Sequence, residues 1–92
     1  MIESFAHKAL QELFLTGRSG RMSADLVKRL KVKLAALLAA STLGELNQPG
    51  FNFHPLRGIK PLRYSIHVNG PWCVTFEWSD GTAQRVTLEQ YH

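Results

Sequence analysis

This sequence predicts an α+β fold, with two N-terminal helices packed on one face of a small antiparallel sheet. Two observations carry that prediction. Apolar residues recur at helical spacing through the first part of the chain and at alternating spacing from residue 64 onward. Two strong hairpin turns, Asn69-Gly70 and Asp80-Gly81, then divide the second part.

The first helix is expected over residues 5–16, where Phe5, Ala9, Leu10, Leu13 and Phe14 share one face. Gly17 ends it as a left-handed cap. A short basic loop, Arg18-Ser19-Gly20-Arg21, leads to Ser23, which can cap the second helix with Asp25 in its first turn. Leu26, Leu30, Leu34, Leu37 and Leu38 form the apolar stripe of that helix. Lys28, Arg29, Lys31 and Lys33 cover much of the remaining surface, and Gly44 is the expected stop. Gln48-Pro49-Gly50-Phe51 reads as a type II turn, because Pro49 presets the first central dihedral and Gly50 accepts a positive φ.

Beyond that turn, residues 51–53 are expected as a short strand and residues 54–61 as a proline-restricted loop. Tyr64, Ile66 and Val68 alternate with Ser65 and His67 in a half-buried strand. Trp72, Val74, Phe76 and Trp78 alternate with Cys73, Thr75 and Glu77 in the next. Residues 82–91 close a meander of three or four strands, with Val86 and Leu88 facing the core. Ile2 to Ser4 could add a short edge strand. With Trp72, Val74 and Phe76 toward the helices, Ser65, His67, Cys73, Thr75, Glu77, Arg85 and Tyr91 should point away. That second face is polar and lies near the basic loop at 57–63, so it is the expected site.

A chain of 92 residues is expected to form one domain, 1–92. It is 45% hydrophobic and 20% charged, an ordinary globular composition that excludes extensive disorder. No apolar run approaches the roughly 20 residues that span a bilayer, and the first residues do not read as a secretion signal. A cytoplasmic location without membrane association is expected. The single cysteine, Cys73, excludes an internal disulfide and a cysteine-rich zinc site. Lys plus Arg at 11 against Asp plus Glu at 7 gives a net charge of +4, which favours RNA, DNA or an acidic protein as partner.

The four histidines, His7, His54, His67 and His92, lack the spacing of a metal site. No phosphate-cradling glycine loop or nucleophile elbow is present. No metal and no cofactor is expected. What remains suits a metal-free reaction on a charged backbone. RNA cleavage by its own 2′-hydroxyl needs a base, an acid and a cation for the phosphorane. His54 or His92 can transfer protons, Arg57 can grip phosphate in a bidentate way, and Tyr91 can stack on a base or donate a proton. His54 before a proline and His92 at a chain end have equally plain readings as a loop residue and a frayed terminus.

The order and spacing of several segments resemble the HigB branch of the RelE-like toxins, also called plasmid-maintenance killer proteins. The segments are Met1-Ile2-Glu3-Ser4-Phe5, Gly44-Glu45-Leu46-Asn47, His54-Pro55-Leu56-Arg57-Gly58, Tyr64-Ser65-Ile66 with Val68, Trp72 with Phe76, Gly81, and Tyr91-His92. The similarity covers the whole chain. It implies a RelE-like microbial RNase fold and a ribosome-dependent, metal-independent endoribonuclease that cuts messenger RNA through the ribose 2′-hydroxyl and so inhibits translation. The partners it implies are a helix-turn-helix antitoxin, the ribosome and its messenger RNA, and operator DNA indirectly through the antitoxin.

Carried over by position, the resemblance assigns His54 to the active-site loop and Arg57, more often lysine, to phosphate. It assigns Tyr91 and His92 to orienting and protonating the RNA. Lys60, Arg63, Arg85, Cys73 and Gln90 are expected on the RNA-facing surface. Two positions depart from the family pattern: Cys73 stands where an arginine is usual, and Gln90 where an acidic residue is common. Arg63 or Arg85 is expected to supply the missing charge. The departures keep a second reading open, a catalytically impaired toxin-like protein acting as an antitoxin-binding co-regulator. A generic RNA-binding module, with salt-sensitive affinity and no cleavage, is a third.

Overall fold

The structure, a computed structural model, describes residues 1–58 and 60–90. Two helices, α1 (Lys8–Thr16) and α2 (Ala24–Ala39), precede a short 3-10 turn (Leu43–Leu46). Four strands follow: β1 (His54–Leu56), β2 (Arg63–Asn69), β3 (Trp72–Ser79) and β4 (Thr82–Gln90). They form one antiparallel sheet in the order β1-β2-β3-β4. The α+β architecture is the one the sequence predicts.

Helix α1 starts at Lys8 rather than at residue 5, because the backbone before it is already paired. Glu3 and Ala6 donate to the carbonyls of Ala83 and Val86 at 2.7 and 2.9 Å. Ile2 and Phe5 thereby bridge to β4 in parallel and cover its edge. His7 caps the helix, its Nδ1 accepting from the Leu10 amide at 3.1 Å, and Phe5 packs on the Phe14 ring instead of joining a turn. Gly17, at φ 76, closes the other end by donating to the Leu13 carbonyl.

Helix α2 begins as expected, with the Ser23 hydroxyl accepting from the Leu26 amide. It ends at Ala39, short of Gly44. The cause is Glu45, whose carboxylate collects the amides of Ser41 and Thr42 at 2.6 and 2.7 Å. Those two N–H groups are thus drawn into capping the 3-10 turn. The same bonds hold the Glu45 carboxyl below its usual range.

The core lies between the helix pair and one face of the sheet. Leu10, Leu13, Leu26, Leu30, Leu34 and Leu37 meet Ile66, Val74, Phe76 and Val86 there. Leu38, expected in the stripe, is exposed. Lys33 departs from the solvated lysine face, since its Nζ sits 4.1 Å from the centre of the Phe51 ring.

The second half differs from expectation at one place. The turn at Gln48–Phe51 forms, with the Phe51 amide 3.1 Å from the Gln48 carbonyl and Gly50 at φ 84. Residues 51–53 are not a strand, however, because Asn52 adopts φ 46 and breaks the extended run. The edge strand forms one step later, over His54–Leu56, inside the expected loop. Pro55 is tolerated there because an edge strand can spare one amide. Asp80 and Gly81, at φ 52 and 75, make the tight turn joining β3 to β4.

Phe76 is fully buried at the middle of the sheet. Phe76→Ala is expected to cost about 3–5 kcal/mol, because a cavity remains under the helices. Denaturant unfolding followed by circular dichroism checks this.

Candidate active site

Cross-strand register arranges the face away from the helices in three rows. The first places Leu56 beside Arg63, whose guanidinium reaches Glu77. The second runs His54, Ser65, Thr75, Thr87. The third runs His67, Cys73, Glu89. Successive rows are two residues apart along the strands, or about 7 Å.

A bulge sets the first row. Thr75 pairs with Thr87 and Glu77 with Gln84, so Arg85 and Val86 both lie opposite Phe76. Arg85 takes φ 49, an uncommon conformation for a non-glycine residue. It is held there by its own amide, which donates to the Ser4 hydroxyl at 2.9 Å. Its carbonyl accepts from Arg63 Nη2 at 3.0 Å.

The polar face is more enclosed than the sequence suggests. Ser65, Cys73 and Thr75 are 0%, 2% and 1% exposed, which leaves them no ready access to an RNA. The charged groups beside them are paired. Arg63 Nη1 donates to Glu77 Oε2 at 3.1 Å, and both side chains are largely buried. Arg63 Nη2 donates to Thr75 Oγ1 at 3.1 Å. The Thr75 hydroxyl donates in turn to Glu89 Oε2 at 2.9 Å. Arg85 approaches Glu77 at 3.8 Å while its side chain stays 73% exposed.

These positions decide what each expected site residue can do. His54 is half-buried on β1, and its Nδ1 lies 2.8 Å from the Asn52 carbonyl. A carbonyl only accepts, so Nδ1 carries the proton and Nε2 is the accepting nitrogen of the neutral ring. The left-handed turn at Asn52 aims that carbonyl, a contribution that the sequence pattern did not signal. Arg57 and Lys60 are exposed and follow β1 directly, so they share an edge of the sheet with His54.

Arg63 is neutralised by Glu77, whereas Arg85 remains a surface cation. Arg85 stands four residues before Glu89, the register partner of Cys73. Cys73 donates to the Glu89 carbonyl at 3.5 Å. Burial, and secondarily the Glu89 carboxylate, push its thiol up. Gln90 is exposed and pairs with Trp72, so its side chain alternates toward the helix side; Glu89 is the acidic residue that reaches Thr75. Tyr91 and His92 lie outside the described residues.

Among the described residues, no group of three or more His, Cys, Asp and Glu is placed to hold a metal ion. No helix among the described residues is long and apolar enough to cross a membrane. A cavity of about 490 Å³ lies elsewhere, lined by His7, Arg21, Met22, Leu26 and Trp72. The candidate residues therefore lie on and around a largely enclosed sheet face, with Arg57, Lys60 and Arg85 exposed at its rim, and not in that cavity.

Comparison with known proteins agrees with this class of fold. A family model described as the RelE-like toxin of type II toxin–antitoxin system HigB matches residues 3–92. The chain belongs to this HigB-like toxin family, and membership brings with it an antitoxin as partner. A relative from Proteus vulgaris named Endoribonuclease HigB is 38% identical over 92 residues, spanning the full length of both chains.

The buried Cys73 thiol is expected to react with iodoacetamide far more slowly in the folded protein than in denaturant at pH 8. Mass spectrometry of timed samples checks this. Equal rates in both states would contradict its burial.

Proposed function

We propose that this protein is an endoribonuclease toxin that cuts messenger RNA on the ribosome, without a metal, and so arrests translation. The observation that carries the reading is the full-length similarity to a relative named as an endoribonuclease. The reaction uses the ribose 2′-hydroxyl. A base removes its proton, O2′ attacks the adjacent phosphorus, and the 5′-oxygen leaves with a proton from an acid. A 2′,3′-cyclic phosphate remains on one fragment.

His54, Arg57, Tyr91 and His92 carry this chemistry. The contact from Asn52 supports His54 as the base, because a carbonyl partner places the proton of the neutral ring on Nδ1 and the basic lone pair on Nε2. His92 supplies the proton to the leaving oxygen, and Tyr91 orients the RNA. Arg57 grips phosphate. Lys60 and Arg85 extend a basic track along the RNA, consistent with their exposure and with the net charge of +4. A helix-turn-helix antitoxin restrains the toxin and carries it to operator DNA. The site of action is the cytoplasm, where messenger RNA is translated.

The state of position 73 favours one further reading, that catalysis is weaker than in relatives with an arginine there. Cys73 is buried beside the Glu89 carboxylate, so its surroundings offer negative rather than positive charge. A weakened enzyme would serve chiefly as an antitoxin-binding co-regulator.

His92→Gln is expected to abolish most growth arrest on induction while leaving the circular dichroism spectrum unchanged. Full toxicity at equal expression would exclude His92 as the acid. Cys73→Arg is expected to raise cleavage, by up to roughly 10²–10³-fold if the missing cation alone limits the rate. An unchanged rate in the folded variant would show that the natural protein is not impaired at this position.

A further inference from the structure

The polar face contains a directed chain of hydrogen bonds. Arg63 Nη2 donates to Thr75 Oγ1 at 3.1 Å, and the Thr75 hydroxyl donates to Glu89 Oε2 at 2.9 Å. One hydroxyl is thus used in both senses, which strengthens each bond in a poorly solvated setting. Thr75 is 1% exposed, and Arg63 is fixed by Glu77 through Nη1 and by the Arg85 carbonyl through the same Nη2. The chain runs from β2 across β3 to the end of β4. It spans all three rows, starting from an anchor that cannot easily move.

Glu89 is the residue at which this chain reaches β4, two positions before Tyr91. Its backbone is held as well, by pairing with Cys73 and by the Cys73 thiol on its carbonyl. An exposed glutamate at the end of a last strand has no packing to fix it, so the Thr75 hydroxyl is a specific restraint on its side chain. Its negative charge would otherwise oppose RNA on a basic protein. A carboxylate there is accounted for if it secures the end of the strand that precedes the terminal pair in the chain.

We infer that Arg63, Thr75 and Glu89 form a positioning relay, which clamps the end of β4 and through it serves Tyr91 and His92, the next residues of the chain. This rests on the reading that the terminal pair acts in RNA cleavage. Arg63 then serves the reaction through Thr75 and Glu89, not as a cation on the phosphate.

The test is cleavage of a defined messenger RNA by the full chain in a purified translation system, with kcat and KM separated, for Thr75→Val, Thr75→Ser, Glu89→Ala and His92→Gln. Thr75→Val keeps the shape and removes the hydroxyl. It is expected to lower kcat roughly 10–100-fold, the scale of a misplaced catalytic group, with KM unchanged. Thr75→Ser restores most of the rate. Glu89→Ala, at an exposed position, lowers kcat in the same way and serves if Thr75→Val does not fold.

A merely repulsive Glu89 would instead give Glu89→Ala a lower KM and an undiminished kcat, which would overturn the relay. Thr75→Ser as impaired as Thr75→Val would overturn it too. His92→Gln with full cleavage would overturn the terminal-pair reading and the relay with it. An inactive His92→Gln beside a fully active Glu89→Ala would overturn the relay alone.

Discussion

Strand β3 is buried on both faces, and the rest of the molecule is arranged around that constraint. Val74 and Phe76 lie under the helices with no exposed surface, while Cys73 and Thr75 on the opposite face are 2% and 1% exposed. A strand enclosed on one face only could leave its polar side chains to water. Here they must find partners within the protein, since an unpaired buried hydroxyl costs about 1–3 kcal/mol. Thr75 meets this requirement with Arg63 and Glu89, and Arg63 meets its own with Glu77. The cross-strand pairing of Thr75 follows from that burial, whereas the Ser65 hydroxyl on the neighbouring strand is buried with no hydrogen-bond partner among the described residues.

The same pairing sorts the charges. The exposed cations Arg57, Lys60 and Arg85 fall along the β1 edge and the bulge of β4, at the end of the sheet marked by the first row. The carboxylate of Glu89 marks the other end, beside Cys73. A polyanion crossing this face meets attraction at one end and none from the described side chains beside Cys73. The distribution fits the phosphate binding proposed for Arg57 beside His54.

Much of this was legible in the sequence, and the failures have identifiable causes. Helical spacing located both helices, and the caps at Gly17 and Ser23 lie where glycine and serine were expected to provide them. The start of α1 was misjudged because Phe5 fits the helical period, although its backbone is taken by β4. The end of α2 was misjudged because Glu45 recruits amides from before the glycine. Asn52 hid the true position of β1, since nothing in the pattern Phe51-Asn52-Phe53 reveals a left-handed residue between two aromatics.

The site was partly legible. Alternation placed Ser65, Cys73, Thr75 and Glu77 on one face, and that holds. Burial of that face was not foreseeable, because alternation reports direction and not what covers a side chain. The bulge did leave a trace, in that Ala83, Val86 and Leu88 are spaced by three and then two. The pairing of Arg63 with Glu77 joins residues 14 apart and depends on strand register, so no local pattern announces it.

The account centres on RNA cleavage by this sheet face and its terminal residues. Primer extension on a defined messenger RNA, with wild-type protein in a purified translation system with and without ribosomes, tests it most directly. The account predicts discrete cleavage products that appear only when ribosomes are present. Intact messenger RNA in the presence of both ribosomes and well-folded protein would contradict it.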